Sequence, residues 1–200
     1  MVRPVKNVAN HGRTIFIYNN IHTNQVVYSL TRTLNNNDAL KQLPFIAKKT
    51  VPAALRKDHW SPLATVSFPE PALGLKTYHK LREFRKLHET QYDPVLLEMP
   101  KKERKYVIMN QKANSIADLA ESLRIEIARS ASEGVAIKNG DVMVRWRDML
   151  DTQYAAEWPE LVGHADQGRS DRPYMAPKVE LPKVEAVPEA DAPKEEAVTV

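Results

Sequence analysis

The chain has 200 residues, no cysteine and a formal charge of +4, which is length enough for one domain of ordinary size with extensions. The absence of cysteine excludes disulfides, thiolate metal sites and cysteine nucleophiles. No apolar run approaches the roughly 18 residues of a membrane span, so no membrane span is expected.

The modest net charge hides a gradient. Residues 1–112 carry 19 Lys/Arg against 8 Asp/Glu, a net +11, residues 113–168 carry 5 against 10, and residues 169–200 carry 5 against 7. Such segregation predicts a polyanion-binding body with an acidic end that faces elsewhere. No secretory signal is expected, because residues 1–13 lack an apolar core region. The first 37 residues contain no acid, while Arg3, Lys6, Arg13 and Arg32 are basic. That composition fits mitochondrial import, although no helical amphipathic pattern surrounds Pro4.

In chain order, residues 1–12 read as an extended basic arm. Two β-branched and aromatic runs, 14–18 and 25–30, are separated by a polar loop and predict a hairpin. Asn35-Asn36-Asn37 supplies helix-starting chemistry for a short helix over 38–43, stopped by Pro44. Residues 45–62 have no clean period and read as a basic surface loop, and 63–68 as an apolar strand. Pro71 stands where a helix can begin. Tyr78, Leu81 and Phe84 then give one apolar stripe at helical spacing through 73–89. Between Lys76 and Lys86 that helix carries five Lys/Arg and one acid, Glu83.

Residues 92–112 read as a second irregular basic stretch, with Lys101-Lys102-Glu103-Arg104-Lys105 followed by Tyr106. Ser115-Ile116-Ala117-Asp118 resembles a capping box. Ile116, Leu119, Ala120, Leu123 and Ile127 predict an amphipathic helix that ends before Gly134. Asn139-Gly140 between 135–138 and 141–146 predicts a second hairpin. Residues 147–162 read as a helix, or two broken at Pro159. Leu119, Leu123, Ile127, Trp146 and Trp158 are expected to form a satellite core in this acidic half. From 168 onward Pro, Ala, Val, Lys and Glu dominate, with Pro-Lys-Val-Glu at 177–180 and again at 182–185. Such a tail cannot bury enough apolar surface to offset the entropy of ordering it, so it is expected to be disordered or partner-dependent.

The expected fold is thus α+β: a small mixed sheet, made of the N-terminal hairpin plus a further strand, with a basic helix. A helix-hairpin-helix C-terminal half and a disordered tail follow. The expected segments are a basic arm (1–12), a basic α/β nucleic-acid-binding body (13–112), an acidic half (113–167) and a low-complexity tail (168–200).

No catalytic constellation emerges, and an enzyme is not expected. The six histidines lie at 11, 22, 59, 79, 88 and 164, without a metal-ligand spacing. Asp141 suits a hairpin turn, and Asp148 and Asp151 suit an exposed helix face. The six glycines never form a Gly-x-Gly phosphate loop, and no cofactor or metal is expected. The positive signal is the basic side chains, since several neutralised phosphates together dominate affinity. The candidate nucleic-acid-binding residues are Arg3, Lys6, Arg13, Lys48, Lys49, Arg56, Lys57, Trp60, Lys76, Lys80, Arg82, Arg85, Lys86, Lys101, Lys102, Arg104 and Lys105, and these charges alone do not decide between RNA and DNA. Trp60 and Tyr106, beside basic residues, would stack on unpaired bases.

Several separated motifs carry a resemblance. They are Thr14-Ile-Phe-Ile-Tyr-Asn-Asn with Gln25-Val-Val-Tyr-Ser-Leu, Leu55-Arg-Lys-Asp-His-Trp60, and Tyr78-His-Lys-Leu-Arg-Glu-Phe-Arg-Lys-Leu. Ile116-Ala-Asp-Leu-Ala-Glu-Ser-Leu and Val144-Arg-Trp-Arg with Glu157-Trp-Pro-Glu-Leu extend it over roughly 12–164. Together they resemble the fungal mitochondrial homologous recombination protein family, whose members are also components of the fungal mitochondrial large ribosomal subunit. The resemblance implies a mitochondrial matrix protein that binds ribosomal RNA and packs on neighbouring mitochondrial ribosomal proteins. It also implies an alternative role on mitochondrial DNA, in ATP-independent homologous pairing, recombination or transcription. The order hairpin, short helix, strand, helix is similar to the GIY-YIG nuclease topology as well, with Ile17-Tyr18 and Tyr28 at its tyrosines. Its glycines are absent, Ser29 and Leu30 follow the second tyrosine, and no catalytic Arg–Glu pair is seen, so no nuclease activity is expected.

Overall fold

The computed structural model describes residues 11–44, 51–91, 93–135 and 137–168. The arm up to residue 10 and the tail from 169, including Arg3, Lys6 and the expectation for the tail, lie outside the described residues, as do Lys48 and Lys49. The architecture is α+β. Five strands, β1 (Thr14–Asn20), β2 (Val26–Ser29), β3 (Trp60–Ser67), β4 (Val142–Trp146) and β5 (Val162–Asp166), form one sheet in the order β2-β1-β3-β4-β5. The first four pair antiparallel and β4–β5 is parallel, so the sheet is mixed as expected and two strands wider.

Period-2 alternation divides the apolar residues between the sheet's two faces. Ile15, Val26, Tyr28, Val66, Val142, Val144 and Trp146 join one large core, whereas Tyr18 and Val27 belong to a smaller one. The large core is roofed by α2 (Pro71–Thr90) and α5 (Lys112–Ser132), whose buried positions recur at helical spacing: Leu73, Thr77, Leu81, Arg85 and Ile116, Leu119, Leu123, Ile127. Truncating Leu81 or Leu119, both fully buried, would cost about 2–5 kcal/mol each. The smaller core, under α1 (Asn36–Leu40), collects Leu34, Ala39, Leu43, Leu55 and Trp60.

Two glycines let α2 approach the start of β1. A Cβ on Gly74 would sit 1.9 Å from the Gly12 carbonyl oxygen, and Gly12 itself has φ +99°. Only residues without a side chain fit that crossing.

The β2 edge of the sheet is capped by side chains. Gln42 donates to Tyr28 O (2.7 Å) and accepts from Tyr28 N (2.9 Å), as a neighbouring strand would. Gln111 accepts from Val26 N (3.2 Å) and Arg85 donates to Val26 O (2.9 Å). Both outward residues of this short edge are thereby satisfied, which blunts strand-to-strand association.

Several expectations are corrected. The stretch expected to be irregular is helical over most of its described residues: α3 (Pro94–Glu98) is capped by Asp93, and α4 (Lys101–Met109) follows Pro100. The capping-box reading fails because α5 begins three residues before Ser115, which is buried inside it. Gly140 does turn the chain, at φ +84°, but β4 pairs with β3 and β5 rather than with a hairpin partner. Local turn chemistry there was outcompeted by burial of Val142, Val144 and Trp146 in the sheet's centre. Of the helix expected over 147–162, residues 149–154 form a 3-10 helix and Val162 opens strand β5. The residues assigned to a satellite core lie in the main core: Leu119, Leu123, Ile127 and Trp146 are part of it, and Trp158 packs on it. Pro62 sits within β3 opposite Tyr18, where β4 has not yet begun to pair, so its missing N–H removes no ladder bond on that side.

Candidate nucleic-acid interface

The fold sorts the predicted basic residues into three groups. Two candidates are internal. Arg85, 6 % exposed, lies under α2 and donates to Val26 O, to Gln111 Oε1 (2.8 Å) and to Ser115 Oγ (3.3 Å), with its guanidinium 5.2 Å from the Tyr28 ring centroid. Its position on the buried stripe 73-77-81-85 decides this, and it cannot meet phosphate. Trp60, 5 % exposed, fills the smaller core and has no face left for a base. Both are corrected from contact residues to structural ones.

A second group is engaged with the chain's own groups. Arg56 pairs with Asp58 (2.7 Å), holding that carboxyl below its usual range, and Lys80 pairs with Glu83 (3.1 Å). Lys76 reaches Glu133 (2.9 Å) and ties α2 to the end of α5. These pairs are solvent-accessible, give little stability and exchange readily for phosphate. Arg104 folds back to donate to Leu97 O and Met99 O (2.9 Å), closing the C-terminal end of α3.

A third group has no ion-pair partner among the described residues. Arg82 and Lys86 stand on the outer face of α2, and Lys41 faces them from the end of α1. With His79 they line two adjoining grooves, the larger of about 690 Å³, which also takes in His11 and Tyr78. Burial pushes the Tyr78 phenol up, and the neighbouring Arg82 charge opposes that rise. On α4, Lys101 and Lys102 are exposed and Lys105 is half-exposed. Tyr106 is 66 % exposed and one helical turn from Lys102. Arg13 and Lys57 are also exposed, apart from these grooves. The cations free to act thus concentrate on α2, α1 and α4. Cations so exposed can neutralise several phosphates, and Tyr106 offers a ring for stacking.

Sequence reasoning missed Lys41, an isolated charge that gains meaning only when α1 folds against α2. It weighed Tyr106 and Trp60 alike, and burial separates them. The carboxylates considered for acid–base work each have another engagement: Asp141 accepts from Lys138 N (2.9 Å), Asp148 from Leu150 N (3.0 Å), and Asp151 pairs with Lys112 (2.6 Å). Asp151 is buried rather than on an exposed helix face. Among the described residues, no group of three or more His, Asp or Glu converges as a metal site would require, and no helix is long and apolar enough to cross a membrane.

Comparison with known proteins gives the chain its family. Residues 12–94 match the Mhr1 family, described as "Transcriptional regulation of mitochondrial recombination". The protein named "Large ribosomal subunit protein mL67" of Neurospora crassa is 31 % identical over 195 aligned residues, covering 79 % of this chain and 67 % of that protein. Its namesake in Schizosaccharomyces pombe is 35 % identical over 159 residues, covering 76 % and 85 %. The chain belongs to the Mhr1 family. The Mhr1 match spans β1 through α2 and therefore includes Lys41, His79, Arg82 and Lys86, while α4 lies beyond it. Both mL67 matches extend over three-quarters or more of the chain.

Proposed function

We propose that this protein is a constituent of the mitochondrial large ribosomal subunit, a non-enzymatic component of the matrix. Its basic surface lies against ribosomal RNA, and other faces pack on neighbouring mitochondrial ribosomal proteins. The observation that carries the reading is a set of cations with no ion-pair partner among the described residues: Lys41, Arg82 and Lys86, which line one groove, and Lys101 and Lys102, exposed on α4. The mL67 names of two relatives supply the assembly. Arg13, Arg56, Lys57, Lys76, Lys80 and Lys105 contribute at the margins, exchanging carboxylate or water for phosphate. On sucrose gradients of mitochondrial lysate the tagged protein should sediment with the large subunit. Absence from that peak would defeat the reading. With purified protein, Arg82→Glu combined with Lys86→Glu should weaken RNA binding and flatten the salt dependence by about two phosphates' worth.

The Mhr1 description favours a second reading, a mitochondrial DNA-binding factor in ATP-independent pairing, recombination or transcription. The same cations would serve it, because phosphate contacts carry no sequence information. It predicts annealing of single-stranded DNA by the purified protein without ATP, at affinity comparable to that for structured RNA. A strong preference for ribosomal RNA would remove it.

A further inference from the structure

Between the C-terminal end of α2, the α3–α4 pair and the start of α5 lies a pocket of about 280 Å³. Leu96, Val107 and Ile108 give it apolar lining, and the rest is polar. Gln111, 8 % exposed, has its side-chain oxygen held by Val26 N and Arg85 Nη1. Two donors on that oxygen fix the orientation of the amide. Its NH2 has no partner among the described residues, and Gln111 is one of the residues that line the pocket. Glu89, Asp93 and Asp118 add three carboxylates, of which Asp93 accepts from Val95 N at 3.0 Å. One oxygen of Asp118 meets His88 (2.9 Å), while Glu89 has no ion pair among the described residues. Burial pushes both carboxyls up, as expected where acceptors are drawn from water with too few donors.

The occupant needs an apolar face for Leu96, Val107 and Ile108, an acceptor for Gln111 and adjacent donors for Glu89 and Asp118. Guanine has that edge: O6 accepts, and N1–H and N2–H2 donate side by side. Adenine and cytosine offer one amino group beside acceptors, and uracil a single N–H between two acceptors, so each would set a lone pair against a carboxylate. Lys86, which lines the adjoining groove together with Arg85 and Glu89, would attract a flanking phosphate and disfavour a cationic protein side chain. We propose that this pocket receives an unstacked guanine base of the bound RNA, with Gln111 on O6 and Glu89 and Asp118 on the donor edge. The proposal rests on the RNA-binding reading and deepens it from phosphate contact to base selection.

The test uses the full-length chain with RNA hairpins of one stem carrying a single bulged G, A, C or U, and with guanosine monophosphate alone. The G-bulge should bind at least about tenfold tighter than the other three. The double variant Glu89→Gln, Asp118→Asn should reduce that preference to about twofold or less while its affinity for the unbulged stem is kept. His88→Gln should retain the preference. Guanosine but not adenosine monophosphate should shift the Gln111 side-chain amide resonances. Equal binding of all four hairpins, or a preference that survives in the double variant, overturns the pocket assignment and leaves RNA binding standing. Failure to bind any hairpin overturns both.

Discussion

Replacing Arg85 with methionine keeps the length of the side chain and removes its donors. The native guanidinium gives hydrogen bonds to Val26 O, Gln111 Oε1 and Ser115 Oγ at 2.9, 2.8 and 3.3 Å. Hydrogen bonds from a charged group contribute about 1.5–3 kcal/mol each, and relief of the buried guanidinium's desolvation offsets part of their loss. Val26 O is then unpaired on the β2 edge and Gln111 loses one of its two anchors. The net is a destabilisation of about 3–5 kcal/mol, or a fall in Tm of roughly 6–20 °C for a domain of this size. Urea unfolding should show the lower midpoint with the slope unchanged. Affinity for an unbulged RNA stem, measured well below the transition, should stay within about twofold, because this side chain neutralises no phosphate. Arg82→Gln should do the reverse: stability within about 0.5 kcal/mol of native and a salt slope lower by about one. An Arg85→Met protein as stable as native but weak on RNA would refute the placement of Arg85 in the core.

The two aromatics separate in the same way. Trp60→Ala should destabilise by about 3–5 kcal/mol, whereas Tyr106→Ala should leave the urea midpoint in place and weaken single-stranded RNA binding about 5- to 100-fold. Gly74→Ala should cost about 2–4 kcal/mol or more, since its Cβ would meet the Gly12 carbonyl oxygen rather than a movable side chain. Circular dichroism melts read that loss directly. Burial raises the Glu89 carboxyl above its unfolded value, so this group favours the folded state at low pH and ceases to as pH rises through its folded pKa. Glu89→Gln should therefore be neutral or stabilising at pH 7 and should lose any advantage near pH 4, as urea midpoints at the two values would show.

Much of the body was legible in the sequence where a local pattern and burial agree. The runs 14–18 and 25–30 became β1 and β2, and the stripe through Leu81 became α2. Asn35 does cap α1, accepting from Asn37 N. What stayed hidden depends on distant partners. The stripe of α2 announces that Leu81 is buried, but not that a charged residue one turn on is buried with it. Arg85 is internal only because Gln111 and Ser115, 26 and 30 residues away, converge on it. Lys41 and Tyr106 likewise carry no local mark of exposure or proximity. Asn139-Gly140 kept its turn and lost its hairpin, because β3 and β5 offered β4 more burial than residues 135–138 could. A parallel pair such as β4–β5 is not signalled by short-range turn chemistry at all.

Protein–RNA crosslinking within intact mitochondrial large subunits, followed by identification of the modified peptides, tests the central claim most directly. Crosslinks should fall on the outer face of α2 between Lys80 and Lys86, on Lys41, and on Lys101 to Tyr106 of α4, with Trp60 and Arg85 unmodified. Purified subunits that contain the protein but yield RNA crosslinks only on β4, β5 or the outer side of α5 would contradict it.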